Sequence, residues 1–575
     1  MANNSDFQVS GNNNAALFTL KLHRGEGMTL IAMNWKNGVP TDDFVGFAIE
    51  YKEPNSHKYF VIKNRIEFAN ANKPDDPNRF SSRRSPIQKF RWVHFPRNPD
   101  LEGLFTYRVT PVFMNAFDEL SYGEFQEVKI ELRRETYPGV LNVGFTRGFV
   151  SSQAFVDRFE KFGAVSTLLP PSAKKGLTFI PTHPKAVEAL HWMGFEGRRN
   201  ILDLLEIAIA DPQAQVRVVA YDLSVLEFVE KLEKLGNRLK IIIDNSADHK
   251  EAGSGENQSE TRLIASAGAG NVKRQHMGAL QHNKMIVVDS PNVKAVVYGS
   301  TNFSWRGFFV QANNTLVVRG DRPVQISMAA FNDYWNNETV STFGATNSAK
   351  WHDLQLPNIE AKVAFSPHIA TNALLKGVAD DVSNNVSSSL FYSLAFLFQT
   401  PGVIREAINK VTNDPKIFVY GMSDKEVGGI VIQKPDGNLA PVAPSALTEK
   451  SLPKPFKAEP SGGGGIRLHH KFLVLDFDKP TARVYLGSYN FSIPADTSNG
   501  ENLVMIKDRR VAVAYMIEAI RLFDHYHFRS KQIEASDGVI NLELSKPPKQ
   551  EGDIAWWKDD FMAGTIKSRD RILFS

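Results

Sequence analysis

The sequence predicts an α/β protein in which two pseudo-symmetric α/β sandwich lobes follow an all-β sandwich domain. Three observations carry that expectation. Short β-branched and aromatic runs fill residues 1–133, with turn signals such as Asn37-Gly38 and Asn98-Pro99 between them. From residue 134 the texture changes to alternating strand-like and helix-like segments. Within that region a single phrase occurs twice, as "QHNKMIVVD" at 281–289 and "LHHKFLVLD" at 468–476. Each copy continues in parallel, with "VVYGSTNFS" after the first and "VYLGSYNFS" after the second.

The N-terminal runs are "ALFTLKL", "MTLIAMNW", "FVGFAIEY", "KYFVIK", "QKFRWVHF", "LFTYRVTPVF" and "FQEVKIEL", enough strands for a sandwich. Trp35 and the "YRVTPV" that starts at Tyr107 resemble the core Trp and Tyr strands of fibronectin type III or immunoglobulin-like domains. In a first lobe, 134–345, residues 216–223 read as a strand. Residues 224–236 read as a helix capped by Ser224 and stopped by Gly236, and 239–245 as the next strand. A polar, Gly-rich loop, 246–280, then enters the first copy of the phrase, and 324–337 reads as a helix. A second lobe with a C-terminal tail, 346–575, repeats the order. "KVAFSP" and "SLFYSLAFLF" read as strands, "PGVIREAINKV" as a helix and "KIFVYGM" as a strand. A Pro/Gly-rich loop, 423–465, enters the second copy, and "RRVAVAYMIEAIRLFDHYHF" closes the lobe as a helix. The same elements meet the same phrase in the same order, which reads as an internal duplication. Trp556 and Trp557 are expected to dock the tail on the second lobe.

Composition narrows the chemistry. The 575 residues include no cysteine, which excludes disulfides, thiolate catalysis and Cys-bound metal. A net charge of +4 fits contact with an anion without itself implying nucleic acid or membrane. The opening "MANNSDFQVSGNNNAALF" lacks the basic start and apolar core of a secretory signal. The longest apolar run, 390–398, falls short of the roughly 20 residues of a membrane-spanning helix. The expectation is a cytoplasmic protein, or one exported by a signal-peptide-independent route.

Residues two apart on a strand share a face. His282 therefore projects with Lys284, His469 with Lys471, Ser300 with Asn302, and Ser488 with Asn490. Asp289 and Asp476 lie five residues beyond the lysines and point away, so their expected roles are structural, holding turns or loops. Imidazole, ammonium, hydroxyl and amide groups, all doubled, suit a tetrahedral, doubly esterified phosphate. Lysines and amides would stabilise charge on its oxygens. One His would attack phosphorus and the other protonate the leaving group. This chemistry needs no cofactor and no metal, because the protein supplies the cations. His469 and His470 are adjacent on a strand and face opposite ways, so they cannot easily chelate together. His525 and His527 lack the i, i+4 spacing of a zinc pair on a helix.

The doubled H-x-K-x4-D and G-S-x-N-F-S resembles the phospholipase D superfamily across roughly residues 140–530. The resemblance implies one active site at the interface of two lobes and a phosphohistidine intermediate resolved by water or an alcohol. It implies His282, His469, Lys284 and Lys471 as catalytic residues, and Asn302 and Asn490, with Ser300 and Ser488, at the substrate phosphate. In related enzymes an acidic residue downstream of the motif orients a catalytic His across the interface. "SNGENLVMI" supplies Glu501, and "QANNTLVV" supplies Asn314 in the corresponding place. That crossing would set Glu501 beside His282 and leave His469 a neutral partner. His282 would then be the nucleophile and His469 the general acid.

The expected substrate is phospholipid, hydrolysed to phosphatidic acid by a peripheral enzyme at a membrane surface. "WRGFFV" at 305–310 is the candidate apolar mouth, with core packing as its equal competitor. The alternatives are a nuclease acting on DNA or RNA, and an interaction protein with a retired site. Lys250, Lys273, Arg274, Lys450, Lys454 and Lys457 are placed in rim loops, where they would meet a nucleic acid backbone or lipid headgroups. The N-terminal domain is a candidate binder of a protein partner. Both motifs lie in one chain, so a monomer is expected.

Overall fold

The computed structural model describes residues 6–69, 76–132, 135–148, 155, 158–397, 402–424, 430–433, 439–442, 468–536 and 541–575. They divide into two units. One comprises 1–134, 513–524 and 528–575, and the other 135–512 and 525–527.

The first unit is built on two antiparallel sheets. One joins Gln8–Ser10, Phe18–Arg24, Thr29–Trp35 and Arg91–His94. The other joins Phe60–Val61, Phe44–Lys52, Leu104–Met114 and Leu120–Tyr122, with Gln126–Glu131 also paired to Leu104–Met114. Alternation sorts the side chains: in Phe18–Arg24, Phe18, Leu20 and Leu22 are buried while Thr19 is exposed. These residues join Ile31, Trp35, Phe47 and Tyr107 in one core.

The tail packs here, not on the second lobe. The Trp556 ring lies 5.6 Å from that of Phe44 and 5.4 Å from that of Phe90. Strand register slips between Phe44 and Gly46, and the Phe44 carbonyl accepts the Trp556 indole N–H at 2.9 Å. Arg91 ties the tail by charge: Nε lies 2.8 Å from Asp570 Oδ1 and Nη1 lies 2.7 Å from Asp524 Oδ2. Burial opposes a charged Asp524, but Arg91 and Lys89 outweigh it and hold the carboxyl well below its usual range.

The second unit contains two mixed sheets that repeat one order. The first runs Leu141–Phe145, Asn314–Arg319, Lys294–Gly299, Lys284–Asp289, Gln215–Ala220, Leu239–Asp244 and Val272–Gln275. The second runs His352–Asp353, Glu360–Ser366, Glu501–Lys507, Arg483–Gly487, Lys471–Leu475, Ser389–Leu394, Phe418–Asp424, Ile430–Gln433 and Leu439–Val442. In each, the strand of the repeated phrase is antiparallel to both neighbours, and the strand beyond carries one parallel partner. Helices Ala186–Ala210 and Leu226–Leu235 pack Ile201, Leu205, Phe228 and Leu232 into the core with Val218, Ile241 and Ile286 of the first sheet. Helices Leu375–Asn385 and Val403–Thr412 bring Val378 and Ile408 to Leu390, Val419 and Leu473. Each such side chain contributes roughly 1.5–3 kcal/mol by leaving water.

Several expectations change. Residues 246–280 are not one loop: they contain helix Gly255–Ala267 and strand Val272–Gln275. The helix is polar on most positions, so no apolar stripe announced it; Ser254 starts it by accepting from Asn257 N at 3.1 Å. Ser224 does not cap the helix that follows it, which begins after Val225; its backbone N–H instead donates to Phe303 O. Trp305, Phe308, Phe309 and Val310 are core residues of the first sheet, so "WRGFFV" is no apolar mouth. Lys273 and Arg274 are also spent internally, on Glu338 and Glu260. Lys450, Lys454 and Lys457 lie outside the described residues. Among the described residues no helix is long and apolar enough to cross a membrane.

Candidate active site

The two copies of the phrase meet where the sheets adjoin. His282 and His469 stand just ahead of strands Lys284–Asp289 and Lys471–Leu475, with ring centroids 6.5 Å apart. Backbone bonds lace the junction: Gly500 N donates to Leu280 O at 2.9 Å, and His469 N to Ala312 O at 3.2 Å. Each neighbouring strand ends in a glycine, Gly299 at φ 132° and Gly487 at φ 146°. A Cβ there would meet Asn314 O at 2.4 Å or Asn502 O at 2.2 Å, so the G of G-S-x-N is a steric requirement.

The histidines have unlike partners. His282 Nδ1 lies 2.8 Å from Glu501 Oε1 and 2.9 Å from Oε2, across the junction. His469 Nδ1 lies 2.7 Å from Asn313 Oδ1, also across it. Counted from the histidines, Asn314 takes this role; counted from the nearer glycines Gly299 and Gly487, Asn313 does, and the register decides for Asn313. Gly299 pairs with Thr315 and Gly487 with Leu503, so Asn313 matches Glu501 and Asn314 matches Asn502. Asn314 Nδ2 lies 3.4 Å from His470 Nδ1 instead, and Asn502 Nδ2 donates to Asn283 Oδ1 at 2.6 Å. A one-residue slip turns a side chain to the other face, and the equal spacing from Gly299 and Gly487 is the local signal that guards against it.

The network sets the His469 tautomer. Ser300 Oγ donates to Asn313 Oδ1 at 3.0 Å, and Asn313 Nδ2 donates to Gly307 O at 2.9 Å, which fixes the amide's orientation. His469 Nδ1 must then donate, and Nε2 keeps its lone pair, 3.2 Å from Lys471 Nζ. Ser300 and Ser488, expected at the phosphate, are fully buried. Ser300 supports Asn313, and Ser488 Oγ accepts from Asn502 N at 2.9 Å. Both histidines keep a small opening, at 4% and 6% exposure.

Residues 205–335 match the family described as "Cardiolipin synthase, PLD-like domain". That segment is similar to a phospholipase D-like domain. A stretch of 48 residues is 40% identical to the phospholipase D of Rickettsia prowazekii (strain Madrid E), covering 8% of this chain and 22% of that protein. The chain thus matches only about a fifth of that relative's length, 22%. Among solved structures, the phosphatidylserine synthase of Haemophilus influenzae is 13% identical over 60% of this chain and 92% of its own, with a TM-score of 0.40. The phospholipase D family member Nuc of Salmonella typhimurium is 24% identical over 24% of this chain and 86% of its own, with a TM-score of 0.20.

The matched segment holds His282, Lys284, Ser300, Asn302 and Asn313. Burial pushes the His282 and His469 imidazoles well below their ordinary value, and Lys284 and Lys471 push the same way. Burial also raises Glu501 to about 8 against both lysines, and lowers Lys284 to about 8 against Glu501, Asp222 and Asp244. All these directions resist separated charge and leave the site short of anion.

The two motif aspartates differ. Asp289 is partly exposed and pairs with Lys294 at 2.5 Å. Asp476 is fully buried at φ 54° and accepts from Ser387 N at 2.9 Å, Ser388 N at 2.8 Å and the Ser387 hydroxyl at 3.0 Å, while the Ser388 hydroxyl lies 2.5 Å from Asp478 Oδ1.

The matched segment also brings up residues that sequence reasoning passes over. Asn302 Nδ2 donates to Asp222 Oδ2 at 2.8 Å, and Ser304 Oγ to the same oxygen at 3.2 Å. Tyr221 lies between His282 and His249, 4.6 Å from each ring centroid, and under Lys284 Nζ at 4.6 Å. Burial disfavours charge on His249, but bonds to Asp222 and Asp244 prevail and raise it to about 10. A His in a polar segment directly after a strand-end Asp was the available signal. Asn490 lies half-buried, its Oδ1 without a protein partner.

Proposed function

We propose that the protein is a phosphodiesterase of the phospholipase D superfamily, acting on phospholipid through a phosphohistidine. The observation that carries this reading is the pair of facing histidines with unlike partners. Glu501 favours the imidazole that must become cationic, so His282 Nε2 attacks phosphorus. An N–P bond forms as the P–O bond to the leaving group breaks. His469 Nε2 gives that oxygen its proton, then takes one from the water or alcohol that attacks the phosphohistidine. Lys284, Lys471, Asn302 and Asn490 serve the phosphate oxygens. The substrate's anion supplies the charge that burial and two lysines deny the resting imidazoles, so His469 takes up its working proton in the complex.

Phospholipid is favoured by the matched family's description and the Rickettsia relative's name, both of phospholipid enzymes. The test is a paired assay in EDTA, with phosphatidylcholine/phosphatidylglycerol vesicles in one tube and single-stranded DNA in the other. Phosphatidic acid formed by the unmutated protein and not by His282→Ala is the expected result. DNA cut by the unmutated protein alone would replace the lipid reading with a nuclease. A phospho-adduct trapped on His469 would reverse the two histidine roles.

A further inference from the structure

The acidic and imidazole groups behind Asn302 are not part of the repeated machinery. Ala220 pairs with Lys284 and Leu394 with Lys471, so Tyr221 and Asp222 match Ala395 and Phe396. At those positions the second sheet has neither the phenol nor the carboxylate. What surrounds Asp222 is therefore an addition to one lobe, and its geometry has its own logic.

His249 is held from behind. Its Nδ1 lies 2.7 Å from Asp244 Oδ2, and that fully buried carboxylate is itself fixed by Ser246 N at 2.9 Å and Gln281 N at 2.6 Å. The ring packs against Tyr221 at 4.6 Å. Nε2 is thereby aimed at two further carboxylates, Asp222 Oδ1 at 3.1 Å and Glu256 Oε1 at 3.9 Å. Glu256 is anchored in turn, accepting from Leu223 N at 2.8 Å. One ligand atom from each of Asp222, His249 and Glu256 lies within 4.8 Å of the others.

We propose that Asp222, His249 and Glu256 bind a divalent transition-metal ion of the zinc class, with Asp244 as the outer carboxylate that orients the imidazole. Bonds of about 2.0–2.2 Å at tetrahedral angles set ligand atoms roughly 3.4 Å apart, between the two spacings around Nε2. A ligating imidazole usually gives its second N–H to a carboxylate, and Asp244 occupies that position. Three carboxylates around one imidazole leave negative charge that a dication neutralises. The ion would share Asp222 with Asn302, bracing the phosphate side of the proposed active site from outside the reaction. The binding claim rests on the first sheet alone; only its link to catalysis rests on the phosphodiesterase reading.

The test reads binding without substrate. The chelator-stripped full chain is titrated with Zn²⁺ by calorimetry, and with Co²⁺ by visible absorption, alongside His249→Ala, Glu256→Gln and Asp244→Asn. One Zn²⁺ per chain is expected, with Co²⁺ bands that vanish in His249→Ala. Asp244→Asn, which keeps a bonding side chain behind the ring, should weaken affinity about 10- to 100-fold. Urea melts identify any variant that fails for lack of folding, leaving the others to decide. No saturable Zn²⁺ binding, or binding unchanged in His249→Ala and Glu256→Gln, overturns the site and leaves His249 as an imidazolium bridging two aspartates.

Discussion

Glu501 reaches across from the second sheet to hold His282 at 2.8 Å, while Asn313 reaches back from the first to hold His469 at 2.7 Å. One reciprocal exchange thus delivers a carboxylate to one ring and an amide to the other. Glu501→Gln should lower kcat by about 10²- to 10⁴-fold with little change in KM, because the carboxylate matters once His282 gains charge. Steady-state kinetics on vesicles decide; a change confined to KM contradicts the assignment.

Activity should fall on the alkaline side. Lys284 is protonated below about 8 and neutral above it, so its hold on phosphate is lost as pH rises through that value. The kcat/KM profile should therefore be narrow about pH 8, its acid limb set by ionisation of Glu501 and its alkaline limb by Lys284, and the alkaline limb of kcat should lie higher, since bound phosphate favours the ammonium. Stability runs the other way. Between about 8 and the ordinary lysine value of 10.5 the unfolded chain binds more proton at this site, so stability rises with pH across that window. Lys284→Met should flatten that rise in urea midpoints.

The two motif aspartates should respond differently to removal. Asp476→Ala strips the acceptor from two backbone N–H groups and the Ser387 hydroxyl in a buried turn, and should cost roughly 3 kcal/mol or more. Asp289→Ala loses a partly exposed ion pair and should stay within about 0.5 kcal/mol. Urea denaturation of both variants compares them directly.

In the first unit, Arg91→Ala leaves Asp524 and Asp570 without their shared partner and should cost roughly 3–5 kcal/mol by the same measurement. Asp524 is held below its usual range, so its stabilisation is complete above about pH 4 and drains away as pH falls further. Asp524→Asn should therefore blunt acid unfolding of this unit, read by circular dichroism.

Most strand positions were legible because period-two alternation and turn residues state them locally, as in Phe18–Arg24 and Lys284–Asp289. The repeat announced the paired histidines for the same reason: each copy is a contiguous phrase. What failed was set by register or by distant packing. Counting from His282 points to Asn314 rather than Asn313 because the turn between the two motif strands is one residue shorter in the first copy. Trp305 was open to two readings because a buried aromatic and a pocket-lining one look alike in a sequence. The tail's partner was hidden because Trp556 and Phe44 stand 512 residues apart.

That last pairing bears on synthesis. The core built on residues 16–132 includes Ala555 and Trp557. At the ribosome, where about 5–20 residues are added per second, the early strands would wait roughly 20–90 s for those side chains. The body carrying both histidines is translated in between and can finish first. The newborn β-sheets then stay without part of their core until the tail emerges, and a stop codon shortly before residue 555 would injure the beginning of the protein.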